Sequence, residues 1–235
     1  CMSVLFFTRF SCQQFRGVRA DCATVWRILT LGLPTLVQMG SLSVVLVVMN
    51  GLLAPRAGTV GVAAFGYVSR LAEFALAPFS ALCLAAAPII GSSYGAGLHS
   101  RVRQTVVRTV QLGLVYAVVA VAVCYALSGA LLGIFTRDPA IVQFGTHCLR
   151  RLAPALLVLP PVLTVSAYFQ SVNRAKSALV TAGALPLCLC VGACLAAPLG
   201  TGAVWWAVPI AAAVCAVFCG ALYIRQAGKR KRRAL

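Results

Sequence analysis

GVAAFGYVSRLAEFALAPFSALCLAAAPIIGSSYGAGLHSRVRQTVVR, residues 61–108, is a long apolar segment that carries one pair of opposite charges and ends in a glycine-rich, basic stretch. Arg70 and Glu73 lie about ten residues inside it. A charge in hydrocarbon costs roughly 2.5–3.5 kcal/mol on insertion scales, so each of them needs a partner or water. Their i,i+3 spacing puts both on one helix face, where they can pair with each other and point into a bundle interior or a cavity. Pro78 and Pro88 follow, and each removes a backbone donor and bends or breaks the helix. Carbonyls freed at membrane depth are tolerated only inside protein or beside a water-filled cavity. Both a kinked span with a neutralised ion pair and the wall of a substrate or ion path fit these residues.

The whole chain is as apolar as this segment suggests. Hydrophobic residues make up 61% of it, charged residues 10%, and the mean hydropathy is +0.96. A soluble chain of this size must display far more polar surface, so the sequence describes an all-α, polytopic membrane protein. Leaving its two ends aside, 235 residues hold six spans of about 20–25 residues, the length that crosses a hydrocarbon core of about 30 Å. A net charge of +17 raises nucleic acid as a partner, but the basic residues are scattered through loops and ends and form no single patch, so no nucleic acid is expected. Cys83, Cys124, Cys188, Cys190, Cys194, Cys215 and Cys219 fall inside apolar spans, where cysteine behaves as a small hydrophobe. Neither i,i+4 pair, Cys190/Cys194 or Cys215/Cys219, has a histidine or acid nearby to complete a metal site, and no metal is expected. The early apolar run at residues 4–7 is too short for the h-region of a cleavable signal. The chain opens on Cys1 without an initiator Met and is expected to be part of something longer.

Three regions follow: a basic amphipathic cytoplasmic segment (1–27), a six-span transmembrane lobe (28–226) and a basic cytoplasmic tail (227–235). The first segment mixes Phe6, Phe7, Phe10 and Phe15 with Arg9, Arg16, Arg19 and Arg27, a pattern suited to a membrane surface. The spans are expected near 28–53, 61–90, 109–135, 152–170, 178–198 and up to Tyr223. APRAGT (54–59) is a tight connector, 91–104 a polar loop, TRDP (136–139) a turn and SVNRAKS (171–177) a basic loop. The glycines of the second connection, Gly91, Gly95 and Gly97, lack the Lys-Ser/Thr of a phosphate-binding loop and suit close helix packing, as do Gly129 and Gly133. Trp205 and Trp206 suit the interfacial aromatic belt. Counting Lys and Arg on alternate sides puts fifteen with the N-terminal segment, the 91–108 and 171–177 stretches and the tail from Arg225 onward, against Arg56 and Arg137 on the other side. By the positive-inside rule both termini are cytoplasmic.

Five stretches also resemble a known family. GLPTLVQ (32–38), VAAFGYVSRLAEF (62–74), PIIGSSYGAG with RVR (88–103), LGIFTRDPAIVQFGTHCLR (132–150) and AYFQSVNRAKSAL (167–179) are similar to multidrug and toxic compound extrusion (MATE) transporters, most closely to the C-terminal lobe in the branch of DinF-type and MepA-type proteins. The resemblance implies a six-helix bundle equivalent to one lobe of a twelve-helix transporter, with substrate passing through a cleft between two lobes. It implies proton- or sodium-coupled antiport that exports amphipathic or cationic drugs and xenobiotics across the plasma membrane, with the coupling cation in place of a cofactor. The sodium-coupled branch carries a glutamate on the first helix of this lobe, whereas residues 34–46 here contain no acid. Gln38, Asn50, Tyr67, Arg70, Glu73 and Gln170 fall at positions that the resemblance makes cavity-lining or lobe-packing.

Partners implied are the bilayer, small organic cations and a second six-helix lobe or a second copy of the chain. His99 and His147 have no nucleophile or acid at a plausible spacing, so no catalytic residue and no enzyme activity are expected. Two other readings fit the same composition: a lipid or polysaccharide flippase of the same superfamily, and an inert or accessory membrane lobe left by truncation.

Overall fold

The computed structural model describes residues 22–231, and every regular element among them is helical. These are α1 (Cys22–Gly95), α2 (His99–Ala126), α3 (Ser128–Phe135), α4 (Pro139–Leu152), α5 (Ala155–Ser171), α6 (Ala175–Ala196) and α7 (Thr201–Lys231), with a 3-10 turn at Ala197–Leu199. Most of the expected amphipathic segment, residues 1–21, and the end of the basic tail, residues 232–235, lie outside the described residues. Helix α7 continues past the expected end at Tyr223 into the basic tail.

Helix α1 has 74 residues, which would make a rod about 110 Å long if it were straight. It is broken at Gly58, whose φ of 58° and ψ of −157° are not helical and are open essentially to glycine alone. The break divides α1 into arms of residues 22–57 and 59–95, each long enough to cross a bilayer. Four helices pass for spans by length and composition when α1 is taken whole, and α4 with α5, bent by 53°, make a fifth if the pair is one broken span. Dividing α1 at Gly58 supplies the sixth. The expected connector at 54–59 is thus real but shrinks to little more than one residue.

Two loops are tighter than the sequence suggests, for the same reason. Helix α1 runs through the GSSYG stretch and stops in a Schellman motif: Leu98 N–H donates to Ser93 O (2.9 Å), Gly97 N–H donates to Tyr94 O (3.1 Å) and Gly97 has a φ of +74°. At the end of α5, Arg174 N–H donates to Phe169 O (3.1 Å), Asn173 N–H donates to Gln170 O (3.1 Å) and Asn173 takes a φ of +59°. Each motif satisfies the last carbonyls of its helix and lets the next begin at once. The glycine-rich stretch therefore caps a helix. Gly95 and Gly97 have no atom close enough to touch an added Cβ, and neither do Gly129 and Gly133, so the close packing expected at these four does not occur within the lobe.

The third expected span, 109–135, is interrupted at Leu127, where α2 gives way to α3. Ser128 is fully buried at this break and its Oγ accepts from Arg150 Nε at 3.2 Å, which ties α4 to the break. The fourth span also differs: α5 covers its expected core, and the 139–152 stretch before it is a helix in its own right, α4, capped by the Asp138 carboxylate accepting from Ala140 N–H. Trp205 is a further correction. It is 1% exposed, packed between Phe65 and Phe144 at ring-centroid distances of 5.8 and 6.4 Å, whereas Trp206 is 50% exposed. Only Trp206 is free to sit in an aromatic belt.

The apolar core has two parts, one around Leu53, Val68, Leu132 and Trp205 and the other around Ile90, Val106, Phe169 and Cys215. Between α1 and α2, Gly113 lets the buried Phe79 ring come close to the α2 backbone, since a Cβ at this position would fall 2.9 Å from Phe79 Cδ2 and closer to Cε2. Gly113→Ala is expected to lower the stability of the purified chain by about 1–3 kcal/mol through overpacking, and Gly113→Ala/Phe79→Leu to regain part of it. Thermal unfolding in detergent reads both. Additive losses in the double variant would mean that the two residues do not press on each other.

Candidate functional site

Glu73 is the acid that the second arm of α1 contributes, and the structure gives it one charged partner. Arg70 donates to the Glu73 carboxylate at 3.0 Å, as the i,i+3 spacing predicts. Of the two expected settings, a bundle interior or a cavity, the interior is not met, since the side chains are 70% and 47% exposed. The cause is the helix face. Gly66, Arg70, Glu73, Ala77 and Ala81 form one exposed stripe, while Phe65, Val68 and Phe79 turn inward.

Glu73 also stands at the edge of an apolar pocket of about 210 Å³. Its walls are Val45, Leu46 and Met49 from the first arm, Val68 and Leu76 from the second, and Leu149, Leu156 and Leu159 from α4 and α5. The 53° bend between those two helices carries leucines from both sides of the bend to one pocket. Sequence reading missed this feature because its walls are ordinary apolar residues drawn from six helices, Cys124 of α2, Leu189 of α6 and Val208 of α7 among them; Pro154, at the bend, was the available signal. Such a pocket is suited to an apolar or aromatic group, and Glu73 supplies a carboxylate at its rim that can attract a cation.

A second polar group joins two residues far apart in sequence. Gln170 Nε2 reaches Gln38 Oε1 at 3.5 Å and Ser166 Oγ at 3.4 Å, linking the first arm of α1 to the end of α5. Gln38 and Gln170 were both expected at the cavity; Ser166 was not, although it sits one helical turn before Gln170. Gln170 is exposed and Gln38 half-buried, so part of this amide pair remains open to a further partner.

Asn50 and Tyr67 are not brought to either group. Asn50 Oδ1 is buried without a hydrogen-bond partner, and so is Trp205 Nε1, with Met49 and Leu53 of the surrounding core beside Asn50. A buried acceptor left unpaired costs about 1–3 kcal/mol. Tyr67 packs its ring against Phe135 of α3 at 6.0 Å, which makes it a packing residue. Of six expected positions, then, four form two polar pairs, one exposed and one partly so, and two lie in the lobe's own packing.

The MatE family profile matches residues 34–194. Among solved structures, the chain is similar to a MATE protein crystallised with MaL6, at a TM-score of 0.89 and 18% identity over 98% of this chain and 54% of that one. It is similar to an outward-facing multidrug resistance MATE family transporter of the MOP superfamily, at 0.89 and 19%, over 98% and 54%. A MOP superfamily transporter from Pyrococcus furiosus, for which a reversed polarity of the binding pocket suggests a different function, gives 0.85 and 19% over 93% and 51%. The chain thus spans about half the length of the solved structures it matches. No curated protein matches it.

Proposed function

The chain belongs to the MatE family, a family of membrane transporters, and from that premise we propose that it is one lobe of a secondary active exporter. In this reading it works with a second six-helix lobe, or with a second copy of itself, to move amphipathic or cationic drugs out across the plasma membrane in exchange for a proton or sodium ion. The observation that carries it is the fit of nearly the whole chain to about half of a transporter, together with polar pairs left open on the outside of the bundle. Repeat-built transporters place their substrate site at the interface of two bundles and work by rocking one against the other. The partly exposed Gln38/Gln170 pair and the exposed Arg70/Glu73 pair suit such an interface, and the apolar pocket beside Glu73 suits the hydrophobic part of a cationic drug.

In this arrangement the basic segments 1–27 and 227–235 flank the lobe on its cytoplasmic side. Reporter fusions at Ser100, Lys176 and Arg230 should read as cytoplasmic, and fusions at Arg56, Arg137 and Gly202 as external, because the Lys and Arg count is so unequal. A cytoplasmic signal at Arg137 would break the six-span topology. The export reading itself is tested by ethidium efflux from cells that express the chain alone and then together with a six-span N-terminal lobe; efflux should require both.

A further inference from the structure

We propose that the groove between the second arm of α1 and the start of α2 is a binding site for an anionic phospholipid. The groove has a volume of about 530 Å³ and is lined at one end by Arg101, Gln104 and Arg108, and along its length by Leu82, Ile89 and Leu112. Arg101 and Arg108 are seven residues apart, so they fall on one face of α2 two turns from each other, with Gln104 between them; along the axis they are separated by about 10 Å. Leu112 follows one turn beyond Arg108, about 16 Å from Arg101. The groove therefore changes from cationic to apolar in the direction in which a phospholipid changes from headgroup to acyl chain.

Charge complementarity fixes the sign of the occupant. Glu73 and Asp138 are the only acids among the described residues, and neither lines the groove. Arg101 and Arg108 are both exposed, and Arg103 lines the neighbouring concavity, which shares Arg108 and Gln104. Guanidinium groups hold phosphate oxygens through paired, charge-assisted hydrogen bonds, and basic pockets between transmembrane helices recognise anionic headgroups. The polar end lies beside the tight α1–α2 connection at residues 96–98, where a span meets the interface. The alternative source of the same chemistry, free inorganic phosphate, would leave the apolar half of the groove without a role. This inference requires only that the bundle spans a bilayer, so a failed export experiment leaves it standing.

The test is lipid retention by the purified chain in detergent, read by native mass spectrometry, with unfolding temperature as a second readout. Phosphatidylglycerol should be retained and should raise the unfolding temperature, while phosphatidylcholine should do neither. Arg101→Gln/Arg108→Gln should cut phosphatidylglycerol retention by roughly tenfold or more, with the unfolding temperature in lipid-free detergent unchanged. Gln104→Glu, which sets a carboxylate between the two guanidiniums, should weaken retention in the same sense, and Arg56→Gln/Arg137→Gln should not. Equal retention of both lipids, full retention by the arginine double variant, or displacement of the lipid by millimolar inorganic phosphate would each overturn the proposal.

Discussion

Cells expressing this chain alone are expected to retain ethidium like cells without it, and cells co-expressing a six-span N-terminal lobe are expected to clear it. The difference should be close to all-or-none, because a rocking mechanism needs a second bundle to rock against. A lobe on its own also leaves polar groups facing lipid. Gln170 and the Arg70–Glu73 pair are exposed, and in hydrocarbon each unsatisfied polar group costs several kcal/mol. That penalty favours assembly, and a two-fold dimer is the alternative partner because homo-oligomers favour closed two-fold symmetry. Crosslinking alongside the efflux measurement separates the cases. Robust efflux by the chain alone, with crosslinking showing a monomer, would sink the half-transporter reading; efflux by the chain alone as a dimer would make the second copy the partner.

Where the sequence carried a local rule, it was legible. Apolar runs of membrane-crossing length gave the helices, and the i,i+3 spacing gave the Arg70–Glu73 pair. The helix ends were harder to place, because a Schellman cap takes so few residues: the polar composition of 91–104 and 171–177 suggested loops, but Gly97 and Asn173 reverse the chain almost at once. Burial was harder still. Trp205 and Trp206 are adjacent and chemically identical, and only the packing of Phe65 and Phe144 decides that the first is core and the second is surface. The pocket beside Glu73 draws its walls from six helices and the α4–α5 bend, which no local pattern encodes. For Arg70 and Glu73 the sequence showed that the two meet but not which side of the helix they meet on, since apolar residues surround that helix in sequence on every face.

That exposed side makes the charge pair a probe of what covers it. Consider Arg70→Leu, Glu73→Leu and the double variant, each measured by thermal unfolding in detergent. In the detergent-solubilised lobe the pair is 70% and 47% exposed and, taken as open to water there rather than to lipid as it would be in a bilayer, contributes about 0–1 kcal/mol as an exposed ion pair. All three variants are therefore expected to unfold within about 1 kcal/mol of the parent. When a partner lobe covers the face, the same two groups lose their solvent. Removing one of them then strands a buried charge at a cost of roughly 3–5 kcal/mol, whereas replacing both by leucine is near neutral. Run on the assembled two-lobe protein, the cycle should thus show two severe single variants and a double variant close to the parent. The growth in coupling between the two settings is the diagnostic quantity, because it depends on the partner desolvating this particular surface and on nothing else in the lobe. Coupling that stays below about 1 kcal/mol in the assembly would mean that the Arg70–Glu73 face does not meet the partner, and the interface would have to be sought on another side of the bundle.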